Sequence, residues 1–488
     1  MPTKQSLEFV QGSYQASSVP VSCQRTVNWI PKVPQVSSLT DGYLDDPSGL
    51  IEYCNISTGR PNRGATVMSG IAYFVNGTKL YSVSGGGNAI ELGTISGTSR
   101  VSMANNGTKL VVCVPGSTSY VYDKTLGTVV AITDPDFISS SSVVFIDGYF
   151  VFSSADGTVV FNSAINDPLS YDALDTGTAE INPDKIVSVH VSHNELYVLG
   201  TDTIEIFQDV GSVDGFPFQR IPGASIQKGC YARNSTVDFD NSFLFIGGGL
   251  NEKLGIWKVT SSSSAEKIST DAIDLEIQKF TLSDIANAFA FTWSEGGSFF
   301  AAFTITSTTI PSRTFVYDAT SSAYGKTLMW HERQTGVTDN SWRVSSIVFA
   351  YGKLLCGDIV DGRVGYLDST TYQDYGDTRF RMRTCRPFFS NELPLCAGQM
   401  EVTMESGVGA TSGQGSDPQI RLSYSDDGGR LWSNETNRSY GQIGEYYSLS
   451  IWRRTGQFPR HRVLMFISTE PVKTVMIKLL AYVGVGSQ

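Results

Sequence analysis

Leu196-Tyr197-Val198-Leu199-Gly200-Thr201-Asp202-Thr203-Ile204-Glu205-Ile206-Phe207 is the phrase on which the fold turns. Leu196 and Val198, then Ile204 and Ile206, alternate with Tyr197, Leu199, Glu205 and Phe207, and Gly200-Thr201-Asp202 interrupts them as a turn. Successive side chains leave a strand on opposite faces, so a period of two marks a strand. The phrase reads as a hairpin with one set of side chains inward and the other outward.

The same phrase recurs on either side: Ala72–Ser84, Leu110–Lys124, Val143–Ser163, Ile186–Gln208, Thr236–Val259, Phe289–Asp318 and Ile347–Asp368. Starts fall roughly every 35–55 residues, the spacing of a β-propeller or a similar array. Glycines that can supply positive φ punctuate the series at Asn76-Gly77, Asp147-Gly148, Asp156-Gly157, Gly247-Gly248-Gly249, Glu295-Gly296-Gly297 and Asp361-Gly362. Val121-Tyr122-Asp123, Val316-Tyr317-Asp318 and Tyr366-Leu367-Asp368 echo one another and suggest equivalent outer strands. Six or seven blades fit the pattern.

Composition agrees with an all-β chain. Of 488 residues 48 are glycine, 11% are aromatic and only 17% are charged. Soluble domains usually carry about 25% charged residues, and helical ones favour Ala, Glu, Lys and Leu. The length allows roughly two to four domains, or one large repeat domain with additions.

The flanks differ from the body. Residues 1–65 are broken by Pro20, Pro31, Pro34, Pro47 and Pro61, and are expected to lie extended on the body or to arm a neighbouring subunit. Residues 66–378 form the propeller-like domain, where Ile273–Ile285 alone has near-helical spacing, as a connector. In 379–488, Arg379-Phe380-Arg381-Met382-Arg383-Thr384 alternates charge with bulk, as an exposed strand would. A Gly/Ser-rich loop, Gly407–Asp417, follows. Strand-like runs Gln419–Ser425, Tyr446–Arg453, Arg462–Ser468 and Val472–Tyr482 then indicate a C-terminal β-sandwich.

Net charge is −11. Residues 379–488 hold 13 Lys and Arg against 9 Asp and Glu, a local +4, which leaves −15 for the rest. An acidic body argues against sequence-specific DNA binding and suits a conduit along which DNA slides without sticking. The cysteines (23, 54, 113, 230, 356, 385 and 396) are scattered, without CxxC spacing, and read as free thiols of a reducing compartment. Met1–Gly12 lacks a signal-peptide core, and no apolar run reaches the roughly 18 residues of a membrane span, so no membrane insertion is expected. The Asn-x-Ser/Thr triplets at Asn76, Asn106 and Asn234 are then chance features.

No GxSxG elbow, P-loop or HExxH occurs, and no catalytic, cofactor-binding or metal-ligating set stands out. His190 and His193 are i, i+3 on a strand and point to opposite faces, while His331 and His461 stand alone. Asp45-Asp46 reads as a pair of surface caps rather than an acid/base pair. Two local motifs remain. Ser425-Asp426-Asp427-Gly428-Gly429-Arg430-Leu431-Trp432 resembles the Asp-box of sialidases and other propellers, a folding device in which Ser425, Asp427, Gly429 and Trp432 build a tight hairpin. A single box without an arginine triad or a Tyr/Glu pair does not make a sialidase. The densest basic cluster runs from Trp452 to Arg462 and includes Arg453, Arg454 and Arg460. It reads as a subunit or partner interface, against a solvated hairpin tip and a DNA contact.

Several phrases, in order, carry a resemblance. They are Val27-Asn28-Trp29-Ile30-Pro31, Pro47-Ser48-Gly49-Leu50, Arg100-Val101-Ser102-Met103-Ala104, Thr203–Phe207 and Ile226-Gln227-Lys228-Gly229-Cys230. Val316-Tyr317-Asp318-Ala319 before Trp330, Cys356-Gly357-Asp358, Ser425–Trp432 and Leu449–Arg462 complete the series. Across nearly its whole length the chain resembles the tail hub, or nozzle, proteins of short-tailed bacteriophages, the packaged-DNA stabilisation family. Lys32 and Leu431 depart from the pattern, an acidic residue and a Thr being expected there.

The resemblance implies a non-enzymatic virion tail component, made in the host cytoplasm and needing no cofactor. It implies a homo-hexamer, a ring below the portal and the head-to-tail adaptor protein that retains packaged genomic DNA and conducts it on ejection. Partners would be a tail needle or plug and a tailspike or tail fibre, with no sequence-specific DNA binding. The alternative is a carbohydrate-active or glycan-binding β-propeller of the sialidase-like kind.

Overall fold

The computed structural model describes residues 3–56, 59–179, 182, 184–212, 215–389 and 393–485. Seven antiparallel blades follow one another: 62–94, 102–131, 140–177, 186–226, 229–267, 289–333 and 344–368. The seventh takes its fourth strand, Gly49–Asn55, from the N-terminal segment, with Leu50 opposite Leu367 and Gly49 opposite Asp368. First and last blades then pack together, so the ring closes on itself. Closure buries the faces of each blade against its neighbours.

One apolar core fills each space between neighbouring blades. Blades 1 and 2 share Tyr73, Val75, Leu110 and Val112, and blades 2 and 3 share Val111, Val121, Phe150 and Phe152. Blades 3 and 4 meet through Val151, Val160, Leu196 and Val198, and blades 4 and 5 through Leu199, Ile206, Phe243 and Phe245. Blades 5 and 6 bury Ile246, Ile256, Phe303 and Trp330. Blades 6 and 7 bury Phe291, Trp293, Trp342 and Cys356, and blades 7 and 1 bury Leu355, Val364, Phe74 and Val83. Burying each such side chain fully is worth about 1.5–3 kcal/mol.

This packing corrects the inward/outward reading of 196–207. Both faces of that hairpin are buried, because one face meets blade 3 and the other blade 5. The loop between Leu199 and Ile204 also shifts the phase: Leu196 lies opposite Phe207, and Val198 opposite Glu205. The Tyr-Asp echoes mark the third strand of blades 2, 6 and 7, not the outermost. Each Asp accepts amide N–H groups from the turn that follows, as Asp123 does from Thr125 at 2.8 Å and Asp318 from Ser321 at 2.9 Å.

Turn glycines work in two ways. Asp147 and Gly148, at φ +49° and +90°, make a two-residue hairpin turn that needs the left-handed region at both positions. Gly247 is a strand residue where a Cβ would lie 1.8 Å from the Gly229 carbonyl oxygen, so glycine is required by close backbone approach. The helical stretch resolves into two short helices, Asp271–Ile277 and Leu282–Ala286, capped by Thr270 and Thr281.

The C-terminal region is a two-sheet sandwich that recruits the N-terminus. One sheet runs Ile30–Lys32, Tyr43–Asp45, Met476–Val485, Leu395–Met404, Ser450–Arg453, with Thr3–Ser6 also on Met476–Val485. The other runs Cys23–Val27, Arg381–Thr384, His461–Ser468, Gln419–Ser425, Thr436–Ser439. Trp29, Met400, Leu422, Trp452, Phe466 and Leu479 fill the space between. Cys23–Val27 also runs parallel to Trp330–Arg333, the last strand of blade 6, so propeller and sandwich share one continuous sheet. The expectation of an extended surface arm therefore gives way to a segment woven into both halves. Its strands are short, and the segment buries Val27, Trp29 and Leu44.

Arg379, Arg381 and Arg383 correct a second expectation. They are buried at the junction rather than displayed on an exposed strand. Arg381 makes a bidentate pair with Asp46 at 2.7 and 2.9 Å and donates to the Glu470 carbonyl at 2.9 Å. Arg379 pairs with Asp374 at 2.7 Å and donates to the Ser48 carbonyl at 2.9 Å. Arg383 donates to Thr26 Oγ1 at 2.6 Å and Gln24 Oε1 at 2.8 Å. Asp46, expected as a surface cap, has its carboxylate wholly buried in this network. Beside it Arg25 forks onto Glu332 of blade 6, both distances 2.7 Å.

Candidate assembly surfaces

The Asp-box hairpin lies in the sandwich, where Gln419–Ser425 ends. Ser425 Oγ donates to Asp427 Oδ1 at 2.7 Å and accepts from Gly429 N at 2.8 Å. Asp427 accepts from the amides of Arg430 at 2.9 Å and Leu431 at 3.0 Å. These bonds to the charged form hold the Asp427 carboxyl below the usual range, the Leu431 amide contributing most. Gly428 and Gly429, at φ +79° and +99°, turn the chain beneath the N-terminal segment. A Cβ on Gly429 would meet Cys23 Sγ at 2.7 Å. Trp432 is half-buried and lies outside the sandwich core, on the wall of a cleft of about 600 Å³ shared with Val19, Cys23, Leu275 and Met382. The Leu431 side chain points to solvent, and the hairpin uses only its backbone.

The basic cluster divides in two. Trp452 belongs to the sandwich core and donates its indole N–H to the Thr436 carbonyl at 3.0 Å. Arg462 is buried, forked onto Asp426 at 2.6 and 2.7 Å, and stacked 4.0 Å from the Tyr424 ring and 4.6 Å from that of Phe458. Neither can face a partner, which removes both from the expected interface. The cause is register: Trp452 pairs with Met400, and Arg462 lies between two aromatic rings beside an acid of the Asp-box. The two motifs are thus one unit, tied by the Asp426–Arg462 fork.

Arg453, Arg454 and Arg460 remain exposed, and none has an ion-pair or side-chain hydrogen-bond partner among the described residues. Arg454 sits at φ +59°, its amide bonded to the Gly398 carbonyl at 2.8 Å, so the hairpin tip has a defined shape. Arg460 and Arg386 flank a groove of about 500 Å³ floored by Pro20, Val21, Pro387 and Phe389. Val21 and Phe389 are each about two-thirds exposed there. Arg386 holds Glu8 at 2.7 Å on its rim.

A second surface escaped the sequence reading. Tyr446–Arg453 was expected to be a strand, yet only Ser450–Arg453 is one. The preceding loop displays Ile443, Tyr446 and Leu449, with Tyr447 98% exposed. Apolar bulk read there as strand interior is in fact an exposed apolar patch, the kind of surface that marks protein contacts. Gly441 and Gly444 were the available signal for a loop.

Among the described residues no three His, Cys, Asp or Glu side chains come together as a metal-binding group. His190 Nε2 lies 3.1 Å from Asp238, whereas His193 stands in a turn at φ +52°. All seven cysteines are unpaired, and Cys396 alone is exposed. No helix is long and apolar enough to cross a membrane.

Comparison with known proteins follows the same division. Residues 5–372 match the family described as Bacteriophage P22 Gp10, beta-propeller, and residues 382–483 match Bacteriophage P22 Gp10, beta-sandwich. The tail hub protein gp10 of Salmonella phage P22 is 25% identical over 434 residues, covering 86% of this chain and 87% of that protein. Among solved structures, the computationally designed Ika8 protein has 16% identity and a TM-score of 0.37, covering 70% of this chain and 99% of its own. The N-terminal domain of Nup159 has 11% identity and a TM-score of 0.40, covering 69% and 97%.

Proposed function

Since the chain belongs to the bacteriophage P22 Gp10 family, in both its β-propeller and its β-sandwich, we propose that it works as the nozzle of a short-tailed phage. It is a structural tail hub, part of the virion tail, and not an enzyme. The finer reading is a hexameric ring beneath the portal and its adaptor. That ring retains packaged DNA, conducts it on ejection, and carries the needle and the tailspikes or fibres. The protein is made in the host cytoplasm before it joins the particle. Residues 1–65 would serve as a strap, 66–378 as the ring body and 379–488 as the docking module.

The observation that carries the reading is the match of both family regions, in order, over nearly the whole chain. Physical features support it. A propeller closed by seven inter-blade cores is rigid, which a plug under packaged-DNA pressure needs. An acidic body lets DNA pass without adhering. Closed rotational symmetry requires one patch to meet a different patch. The unpaired Arg453, Arg454 and Arg460 would face an acidic propeller surface of the neighbouring copy.

Two measurements test this. Quantification of the protein in purified particles against the major capsid protein should give about six copies per particle. Particles assembled without it should fill with DNA and then lose it. Absence of the protein from particles, or stable filled heads in its absence, would overturn the proposal.

A further inference from the structure

The blades leave a tunnel along the propeller axis, distinct from any channel a ring of copies would enclose. At one mouth a cavity of about 470 Å³ is lined by Arg63, Arg100, Arg233, Asn234, Asn287 and Thr306, among others. This mouth lies on the face carrying the blade-to-blade connectors and the loops between second and third strands, since Thr98–Arg100 is a connector and Gly116 and Ile359 lie in such loops. Deeper in, a cavity of about 400 Å³ along the inner strands of blades 2 to 5 shares Arg100, Arg233 and Asn234. The two arginines therefore stand where the mouth enters the tunnel.

Among the described residues, no Asp or Glu lines the mouth. That is unexpected in a chain of net charge −11. The arginines are held differently. Arg63 is locked, donating to the carbonyls of Ser99 at 2.6 Å, Gly77 at 2.9 Å, Ser96 at 3.0 Å and Ile95 at 3.2 Å. Arg100 is pinned flat, 4.2 Å from the Phe289 ring, with one N–H on the Ser345 carbonyl at 2.6 Å. A guanidinium has five N–H donors, so most of Arg100's remain available. The Arg233 side chain makes no hydrogen bond or ion pair among the described residues. Burial without a counter-charge pushes both Arg63 and Arg100 down to about 10. Among the described residues, the one acid of the adjoining deeper cavity, Asp238, lies 3.1 Å from His190 Nε2. Clustered cations with spare donors and no acid among the mouth's lining are stabilised when an anion joins them, and the planar arginine fork matches an oxyanion.

We infer that the axial mouth of the propeller is a binding site for a small oxyanion, phosphate or carboxylate, gripped by Arg100 and Arg233 over the fixed charge of Arg63. The rigid stacking of Arg100 presents its fork in place, and Arg233 is free to close on the ligand. Asn234, Asn287 and Thr306 supply further polar contacts at the rim. The site needs one chain only and does not depend on the tail-hub reading.

Titration calorimetry on the full chain tests it, with inorganic phosphate and then acetate at constant ionic strength against a chloride reference. Saturable binding is expected. Arg233→Gln should weaken it about tenfold, as a lost charge-assisted pair would, and Arg100→Gln similarly. Arg453→Gln, on the distant sandwich, should leave it unchanged. The Arg233 side chain makes no hydrogen bond or ion pair among the described residues, so its variant keeps the test decisive even if Arg100→Gln fails to fold. A clear preference for phosphate identifies a free phosphate-type ligand. Equal affinity for acetate identifies a carboxylate, such as an acidic side chain from another chain. No saturable heat with either anion, or an affinity indifferent to Arg233→Gln, overturns the inference.

Discussion

Arg381 and Arg383 lie on one strand of the sandwich with Arg379 just before it, and Arg453, Arg454 and Arg460 cluster around a hairpin of its other sheet. The first three are buried, each bonded to acids, carbonyls or polar side chains contributed by the N-terminal segment or the propeller. The second three are exposed and, among the described residues, unpaired. One set fixes how the two halves of the molecule meet, and the other has no partner among the described residues, as the proposed interface requires. A guanidinium taken from water needs a partner in good geometry, or it costs several kcal/mol. Partners such as Asp46 and Asp374 are therefore what separate a structural arginine from an interfacial one.

The largest expected effect tests the exposed set. Arg453→Glu, Arg454→Glu and Arg460→Glu together should abolish incorporation into particles. Each should alter folding stability by no more than about 0.5 kcal/mol, as surface substitutions do. Electron microscopy and denaturant unfolding of the purified triple variant read both outcomes. Normal assembly would remove the interface, and a strongly destabilised fold would erase the contrast with the buried set. Arg462 is left out deliberately, since its reversal would break the Asp426 fork inside the domain.

Next comes the buried set. Asp46→Ala leaves the Arg381 guanidinium enclosed without its counter-ion, and a loss of about 3–5 kcal/mol is expected. Because Arg381 also reaches Tyr372 and Glu470, loosening should appear first at the propeller–sandwich junction. Hydrogen exchange would locate it in Cys23–Val27 and Arg381–Thr384. A loss below about 1 kcal/mol would mean that the pair behaves as an exposed one. A smaller effect is expected at the Asp-box: Ser425→Ala removes the acceptor for Gly429 N and should cost about 1–2 kcal/mol by denaturant unfolding. An unchanged midpoint would show that water replaces the hydroxyl without loss.

Much of the architecture was legible because it is written locally. Period-two runs, turn glycines and the style change near residue 379 give a propeller and a sandwich, and the Asp-box hairpin can be read from eight consecutive residues. What was illegible is long-range. Gly49–Asn55 completes blade 7 only because it meets residues more than 300 positions later, and no local pattern announces that pairing. Arg381 and Asp46 are 335 residues apart, so an alternating Arg-Phe-Arg-Met-Arg string looked like a solvent-facing edge. Within the basic cluster, the facing strands buried Trp452 and Arg462 and left their neighbours outside. Register across a sheet decides this, and composition does not carry it.

The subtlest test concerns His331, on the strand of blade 6 that also pairs with Cys23–Val27. Its ring is buried near Phe300, and neither nitrogen has a hydrogen-bond partner among the described residues. Burial first, then the charges of Arg333 and Lys32, hold it neutral, well below the usual histidine range. The unfolded chain takes up a proton near pH 6.5, whereas the folded chain resists. The unfolded state thus binds more protons below that pH, and stability falls as the solution is acidified from about 6.5 toward the folded value. The slope should approach about 1.4 kcal/mol per pH unit, with almost no effect at pH 7. His331→Phe should flatten that limb and leave neutral stability nearly unchanged. Urea midpoints measured across the acid range would read the difference, and parallel curves for the two proteins would mean that this junction opens to water before the imidazole is forced to choose.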